Sequence, residues 1–175
     1  MKFFEKKLTD NVIYKGKILN LNVDDVELPD GKLSKREIVR HLGGAAVLFV
    51  NDGKILLVRQ FRYAYGKEIY EIPAGKLNTG ENPLCAAERE LEEETGYKAE
   101  LVHLVNIYPS PGYTDETIYI YYVKNAVRTA QKLDDGEFLN AEFIPLEKVV
   151  EMINEGEISD AKTIVAVYRY LLQCK

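Results

Sequence analysis

From Ile18 to Val23 apolar residues alternate loosely with polar ones, the period of a strand with one buried face. Leu28-Pro29-Asp30-Gly31 reads as a turn, and Ser34 to Val39 is expected to return as the paired strand. After Gly43-Gly44 the pattern changes. Ala45 to Val50 is apolar, Asn51-Asp52-Gly53 is a turn, and Lys54 to Val58 is largely apolar again. This predicts a hairpin of two strands, central in a sheet covered on both faces. Glu68 to Ile72, Leu101 to Tyr108, Thr117 to Val123 and Phe138 to Ile144 are further strand segments, most of them rich in β-branched and aromatic residues.

The period lengthens over residues 82–95. Asn82 suits an N-cap, Pro83 the first helical position and Gly96 the stop, while Leu84, Ala87 and Leu91 share one face. Leu146 to Asn154 predicts a short helix ending near Gly156, and Asp160 starts a last helix that runs to about Cys174. Strands and helices mixed in this order predict an α/β sandwich: residues 1–40 a β-rich subdomain, 41–175 the main domain.

Composition narrows the function. A chain of 175 residues, 46% hydrophobic and 29% charged, can bury a core without disulfides and is not disordered. Its net charge of -5 argues against general binding to nucleic acid or to an anionic membrane. A phosphorylated ligand stays possible, because a divalent cation can reverse the sign of a site. Cys85 and Cys174 are too few for a disulfide framework or a Cys-rich zinc site. Met1 to Lys7 lacks the apolar run of a signal peptide, and the longest apolar run, Ala45 to Val50, is far short of a membrane span. The expectation is a soluble, cytoplasmic protein in which His41 and His103, beside apolar runs, are packing residues.

The candidate chemistry lies on the helix at 82–95. Glu90, Glu93 and Glu94 fall within roughly 100° of arc beside the apolar stripe, at about 100° per residue. Three like charges at this spacing repel, and they sit where the helix dipole disfavours anions. A hard divalent cation reverses each of those terms. A solvated acidic face, with Arg89 paired to Glu93 one turn on, is the plain alternative. Glu88 and Glu92 lie on a different side and are expected to be solvated.

The segment resembles the box of the Nudix hydrolases, in which a glycine, five residues, a glutamate and seven residues precede Arg-Glu-aliphatic-x-Glu-Glu-x-Gly-aliphatic. The matching positions are Gly75, Glu81, Arg89, Glu90, Leu91, Glu93, Glu94 and Gly96, with Tyr97 as the one departure. The resemblance implies a Nudix-like α/β/α sandwich with a mixed sheet, and an enzyme that splits a nucleoside diphosphate linked to another group. It implies Mg²⁺, with Mn²⁺ as substitute, held by Glu90, Glu94 and the Ala74 carbonyl. Glu93 is implied as a further ligand or as the base, and Arg89 as the residue that orients the carboxylates.

Ser110-Pro111-Gly112-Tyr113 resembles a loop of the ADP-ribose pyrophosphatase branch, whose proline stands about fifteen residues beyond the last glycine of the box. Lys35 to Val39, Val58 to Arg62 and Glu71 to Lys76 are similar to that branch as well. The substrate contacts this implies are Arg62 on the diphosphate, Glu116 on the terminal ribose, Pro111 and Gly112 in the loop, and Arg36-Glu37 on adenine in a partner subunit's site. For the aromatic that stacks on adenine, Tyr14 is the candidate. In the acidic loop Leu133 to Phe138, Glu137 matches the last metal ligand or base best and Asp135 second. The implied reaction is Mg²⁺-dependent hydrolysis of ADP-ribose to AMP and ribose 5-phosphate by a homodimer. The alternatives are another nucleoside diphosphate sugar, or a non-catalytic nucleotide sensor built on the same fold.

Overall fold

The N-terminal strands form around one central strand whose buried positions are polar. In the computed structural model, which describes residues 3–173, β1 (Lys6–Lys7), β2 (Val12–Lys15), β3 (Asn20–Glu27) and β4 (Leu33–Arg40) make an antiparallel sheet in which β3 pairs with the other three. Asn22, Asp24 and Val26 point inward from β3. Two of these three are polar, which is why the strand alternates so loosely in sequence, and buried polar groups need partners. Asn22 donates to Asp10. Asp24 accepts from the Asn11 N–H at 3.2 Å and faces Arg40 at 3.2 Å. The solvent-exposed β2 and the two-residue β1 carry no pattern to read.

Two compact units result: Met1–Gly43 with Tyr108–Thr117, and Gly44–Ile107 with Ile118–Lys175. The segment 108–117 is bound into the first unit through its backbone. The Val39 N–H donates to the Tyr113 carbonyl at 2.7 Å and the Asp115 N–H to the Val39 carbonyl at 3.3 Å. Arg40 adds an ion pair to Asp115 at 3.1 Å.

The second unit contains β5 (Gly44–Leu48), β6 (Val50–Asn51), β7 (Lys54–Arg62), β8 (Lys67–Glu71), β9 (Ala74–Lys76), α1 (Pro83–Thr95), β10 (Tyr97–Ile107), β11 (Ile118–Arg128), β12 (Leu139–Pro145), α2 (Leu146–Asn154) and α3 (Ala161–Gln173). The expected end of the last helix at Cys174 lies outside the described residues. One sheet runs β10-β11-β5-β9, with β11 and β5 parallel. The other runs β12-β7-β6, with β8 also on β7, all antiparallel.

The expected hairpin from Ala45 to Val58 is corrected here. The chain changes sheet at Phe49, so Gly44–Leu48 pairs with β9 and β11. Val50 and Asn51 pair back onto Ile55 and Lys54, and the Phe49 carbonyl accepts the Leu56 N–H at 2.9 Å. Burial on both faces does hold, and alternation along β5 sets the layers. Ala45, Val47 and Phe49 pack with Ala86, Ala87 and Leu91 of α1. Ala46 and Leu48 pack with Val149 and Met152 of α2 and Ala166 and Val167 of α3. The unit is thus a sandwich of helix, mixed sheet and helix.

Candidate active site

Local signals place α1. The Asn82 side chain accepts from the Leu84 N–H at 2.9 Å, Pro83 opens the helix, and Gly96 closes it at φ +70°. Its last carbonyls would be orphaned. The segment after β11 satisfies them: Thr129 N–H donates to Gly96 O at 2.7 Å, Lys132 N–H to Glu93 O at 3.0 Å, and the Gln131 amide to Glu94 O at 2.6 Å. That docks the acidic loop 133–138 at the carboxylate end of the helix.

Around this end the acids divide by depth. Glu90 and Glu94 are buried, Glu93 is half-buried, and Glu137 and Asp135 are exposed. Glu94 accepts the Ala74 N–H at 3.0 Å, tying the helix to β9. The Glu90 carboxylate rests directly on the bare Cα of Gly75, in space that a Cβ would fill. This close approach requires glycine there. Arg89 binds Glu81 through Nε and Nη2 at 3.0 and 3.1 Å, and through Nη1 binds Glu90 at 2.7 Å and Glu93 at 3.0 Å. Glu81 in turn accepts the Asn78 N–H at 2.8 Å. The i, i+4 pair of the plain alternative is present, but Arg89 also fixes two further acids. Glu88 is exposed and Glu92 is paired to Lys98.

Electrostatics marks the same place. Burial pushes the Glu94 carboxyl up to about 8; the Ala74 N–H opposes this, and the charges of Glu90, Glu137 and Glu71 add to it. Burial also raises Glu90, against Arg89, with Glu93 and Glu137 adding. The charge of Glu137, in the acidic loop, adds to both shifts.

In metal-free protein the folded state therefore keeps a proton on Glu94 that the unfolded chain releases near 4.5. Folding stability must fall as pH rises through that window, by up to about 4 kcal/mol between pH 5 and 8. Denaturant midpoints measured in chelator at pH 5.5 and 8 should show the drop, and equal midpoints would contradict it.

Among the described residues no group of three carboxylate, imidazole or thiolate side chains is spaced as a metal cage. The donors still fit a hard cation. Two buried carboxylates that burial disfavours as anions lie against Ala74 and Gly75, and carboxylate and carbonyl oxygens suit Mg²⁺.

A second cluster in this unit was invisible in sequence. Arg62, expected on the diphosphate, grips the buried Glu71 through Nε at 2.6 Å and Nη2 at 2.9 Å. Glu71 also accepts from Lys162 of α3. Burial alone would raise the Glu71 carboxyl, but Arg62 and Lys162 hold it below its usual value. No local pattern links residues ninety-one positions apart.

The remaining predicted residues lie in the N-terminal unit. Arg36, on β4, forks onto Glu5 at 2.6 and 2.8 Å, and Glu37 follows it on the strand. Tyr14 is exposed on β2. Pro111 and Gly112 are in the 108–117 segment, and Glu116 lies 3.4 Å from His41. His41 is largely enclosed, in keeping with the packing expected of it. Its Nδ1 accepts the Gly43 N–H at 3.0 Å, and its ring helps to line a cavity of about 240 Å³ with Glu116, Ser110, Thr114 and Tyr113. His103 is exposed on β10, edge-on to Tyr121.

Comparison with known proteins gives the family and the fold. Residues 39–167 match the NUDIX domain, and residues 5–39 match the nucleoside diphosphate sugar hydrolase N-terminal domain. The chain is 45% identical to a methanol dehydrogenase activator of Bacillus methanolicus over 98% of this chain and 95% of that one. It is also 45% identical to an ADP-ribose pyrophosphatase of Bacillus subtilis, over 93% of this chain and 90% of that one. A crystal structure of an ADP compounds hydrolase superposes with a TM-score of 0.83 at 20% identity, covering 97% of this chain and 93% of that one, and so shares its fold. Among the described residues no helix is long and apolar enough to cross a membrane.

Proposed function

The chain belongs to the NUDIX hydrolase family, and from that membership we propose that it hydrolyses ADP-ribose to AMP and ribose 5-phosphate with Mg²⁺ as its metal. The observation that carries this reading is the pinning of Glu94 onto the Ala74 N–H and of Glu90 against Gly75, with Arg89 bound to Glu90. The 45% identity to the Bacillus subtilis pyrophosphatase supports the substrate.

Glu90, Glu94 and the Ala74 carbonyl would hold the ion, with Glu93 as a further ligand. When bound, such an ion neutralises phosphate charge and lowers the pKa of a coordinated water. Arg89 keeps Glu90 and Glu93 in place. Arg62 binds the diphosphate, and Glu93 or Glu137 takes the proton from the attacking water. In the N-terminal unit, Arg36 and Glu37 are assigned to adenine in a partner subunit's site, Glu116 to the terminal ribose, and Pro111 and Gly112 to the loop that faces the substrate. The same reading makes the protein a cytoplasmic homodimer with residues 1–40 as its dimerisation piece.

Release of AMP from ADP-ribose, measured with Mg²⁺ beside a panel of other nucleoside diphosphate sugars, is the test. The expected result is the highest kcat/KM for ADP-ribose. A tenfold preference for another sugar nucleotide would replace the substrate. Binding without turnover of any member would favour a nucleotide sensor, a role in keeping with the relative named as an activator.

A further inference from the structure

Arg62 is not free to turn. Its Nε–Nη2 edge is occupied by Glu71, and among the described residues Nη1 has no hydrogen-bond partner. A guanidinium held along one edge presents its other N–H groups in a fixed direction, the geometry that suits an oxyanion. Glu71 can hold it only because Glu71 is itself held. It lies at the end of β8, 2% exposed, and accepts a third hydrogen bond from Lys162.

The N-terminus of α3 supplies that support. Lys162 also contacts Asp160 at 3.0 Å. Asp160 caps the helix by accepting from the Thr163 N–H at 3.0 Å and its hydroxyl at 2.6 Å. The Thr163 hydroxyl oxygen accepts the Ile72 N–H at 2.8 Å. Two residues on, the Ala74 N–H goes to Glu94, and between them the Pro73 carbonyl accepts the Val47 N–H at 2.9 Å. The stretch from Glu71 to Ala74 is therefore fastened to β7, α3, β5 and α1 in succession. Cluster charges balance, two cations against two carboxylates, as burial demands.

We propose that Glu71 is a positioning residue for Arg62, and that Lys162 of the last helix is the counter-charge that fixes Glu71. The inference rests on the diphosphate-binding role assigned to Arg62 above. Loss of Glu71 would leave the guanidinium charged but mobile. A contact made equally to substrate and transition state would weaken, raising KM and sparing kcat.

Two measurements on Glu71→Gln keep this claim separate from the identity of the substrate. The first is steady-state hydrolysis of ADP-ribose with Mg²⁺. The expected result is a KM at least tenfold higher with kcat within threefold. The second is solvent exchange of the Arg62 Nε–H by NMR on the full-length protein. The expected result is slow exchange in wild type, accelerated at least tenfold in the variant. If wild type does not hydrolyse ADP-ribose, the substrate assignment falls while the exchange measurement still decides the positioning. A folded Glu71→Gln protein with unchanged KM and unchanged exchange overturns the proposal. Should that variant fail to fold, Lys162→Met takes its place, with a smaller rise in KM and faster Arg62 exchange expected, and Lys162→Arg expected to restore both. A Lys162→Met protein that matches wild type in both measurements overturns it equally.

Discussion

A Glu94→Gln protein is expected to turn over ADP-ribose at least about 10³-fold more slowly than wild type at saturating Mg²⁺, and yet to be the more stable of the two at pH 8 without metal. Both effects come from one buried charge. Glu94 is 3% exposed, its carboxyl is pushed up to about 8, and its only hydrogen-bond donor among the described residues is the Ala74 N–H. A glutamine oxygen can still accept that N–H, so the tie between α1 and β9 survives. What disappears is the anion, which costs stability when nothing neutralises it and is needed once a cation does. A thousandfold loss corresponds to about 4 kcal/mol of barrier, within the range a lost metal ligand can account for. The check is kcat at several Mg²⁺ concentrations beside melting curves in chelator and in Mg²⁺. Mg²⁺ should raise the melting temperature of wild type and leave the variant nearly unmoved. Near-wild-type turnover by the variant would remove Glu94 from the ligand set.

How this site comes together was only partly legible in the sequence. Local codes carried the helix: Asn82, Pro83 and Gly96 bound it where expected, because caps act within a few residues. The same holds for the turn at Leu28 to Gly31 and the strand after it, while the strand before it, expected to end at Val23, runs on to Glu27 because its inward positions there include the polar Asp24. The change of sheet at Phe49 has no local code. A strand buried on both faces reads as a plain apolar run whichever sheet it joins. The placement of 108–117 with the N-terminal strands rests on backbone hydrogen bonds to Val39 and on the reach of Arg40 to Asp115, neither of which a local pattern shows. Glu71, at the end of a strand segment, and Lys162, on the last helix, have no local pattern that links them until the fold buries them together. Glu81, conspicuous only as a motif position, gains its role through the grip of its carboxylate on Arg89.

Gly75 offers the sharpest separation of chemistry from folding. Gly75→Ala is expected to lower kcat/KM by at least about 100-fold while moving the melting temperature by only a few degrees. The backbone at Gly75 has none of the positive φ angles that make alanine unwelcome, so the chain itself accepts a Cβ. The space does not, because the new methyl lands on the Glu90 carboxylate. That group is the far end of a flexible side chain and can swing away, which keeps the net cost near 1 kcal/mol, or about 2–4 °C for a chain of this length. Once displaced, it leaves the Ala74–Gly75 surface and the Arg89 Nη1 that holds it at 2.7 Å. The loss should therefore not add to that of Glu90→Gln: the double variant should be about as slow as the slower single one, as for two changes acting on one group. Additive losses, or a Gly75→Ala protein that keeps wild-type turnover, would show that the Glu90 carboxylate does not work from the position it occupies against the glycine.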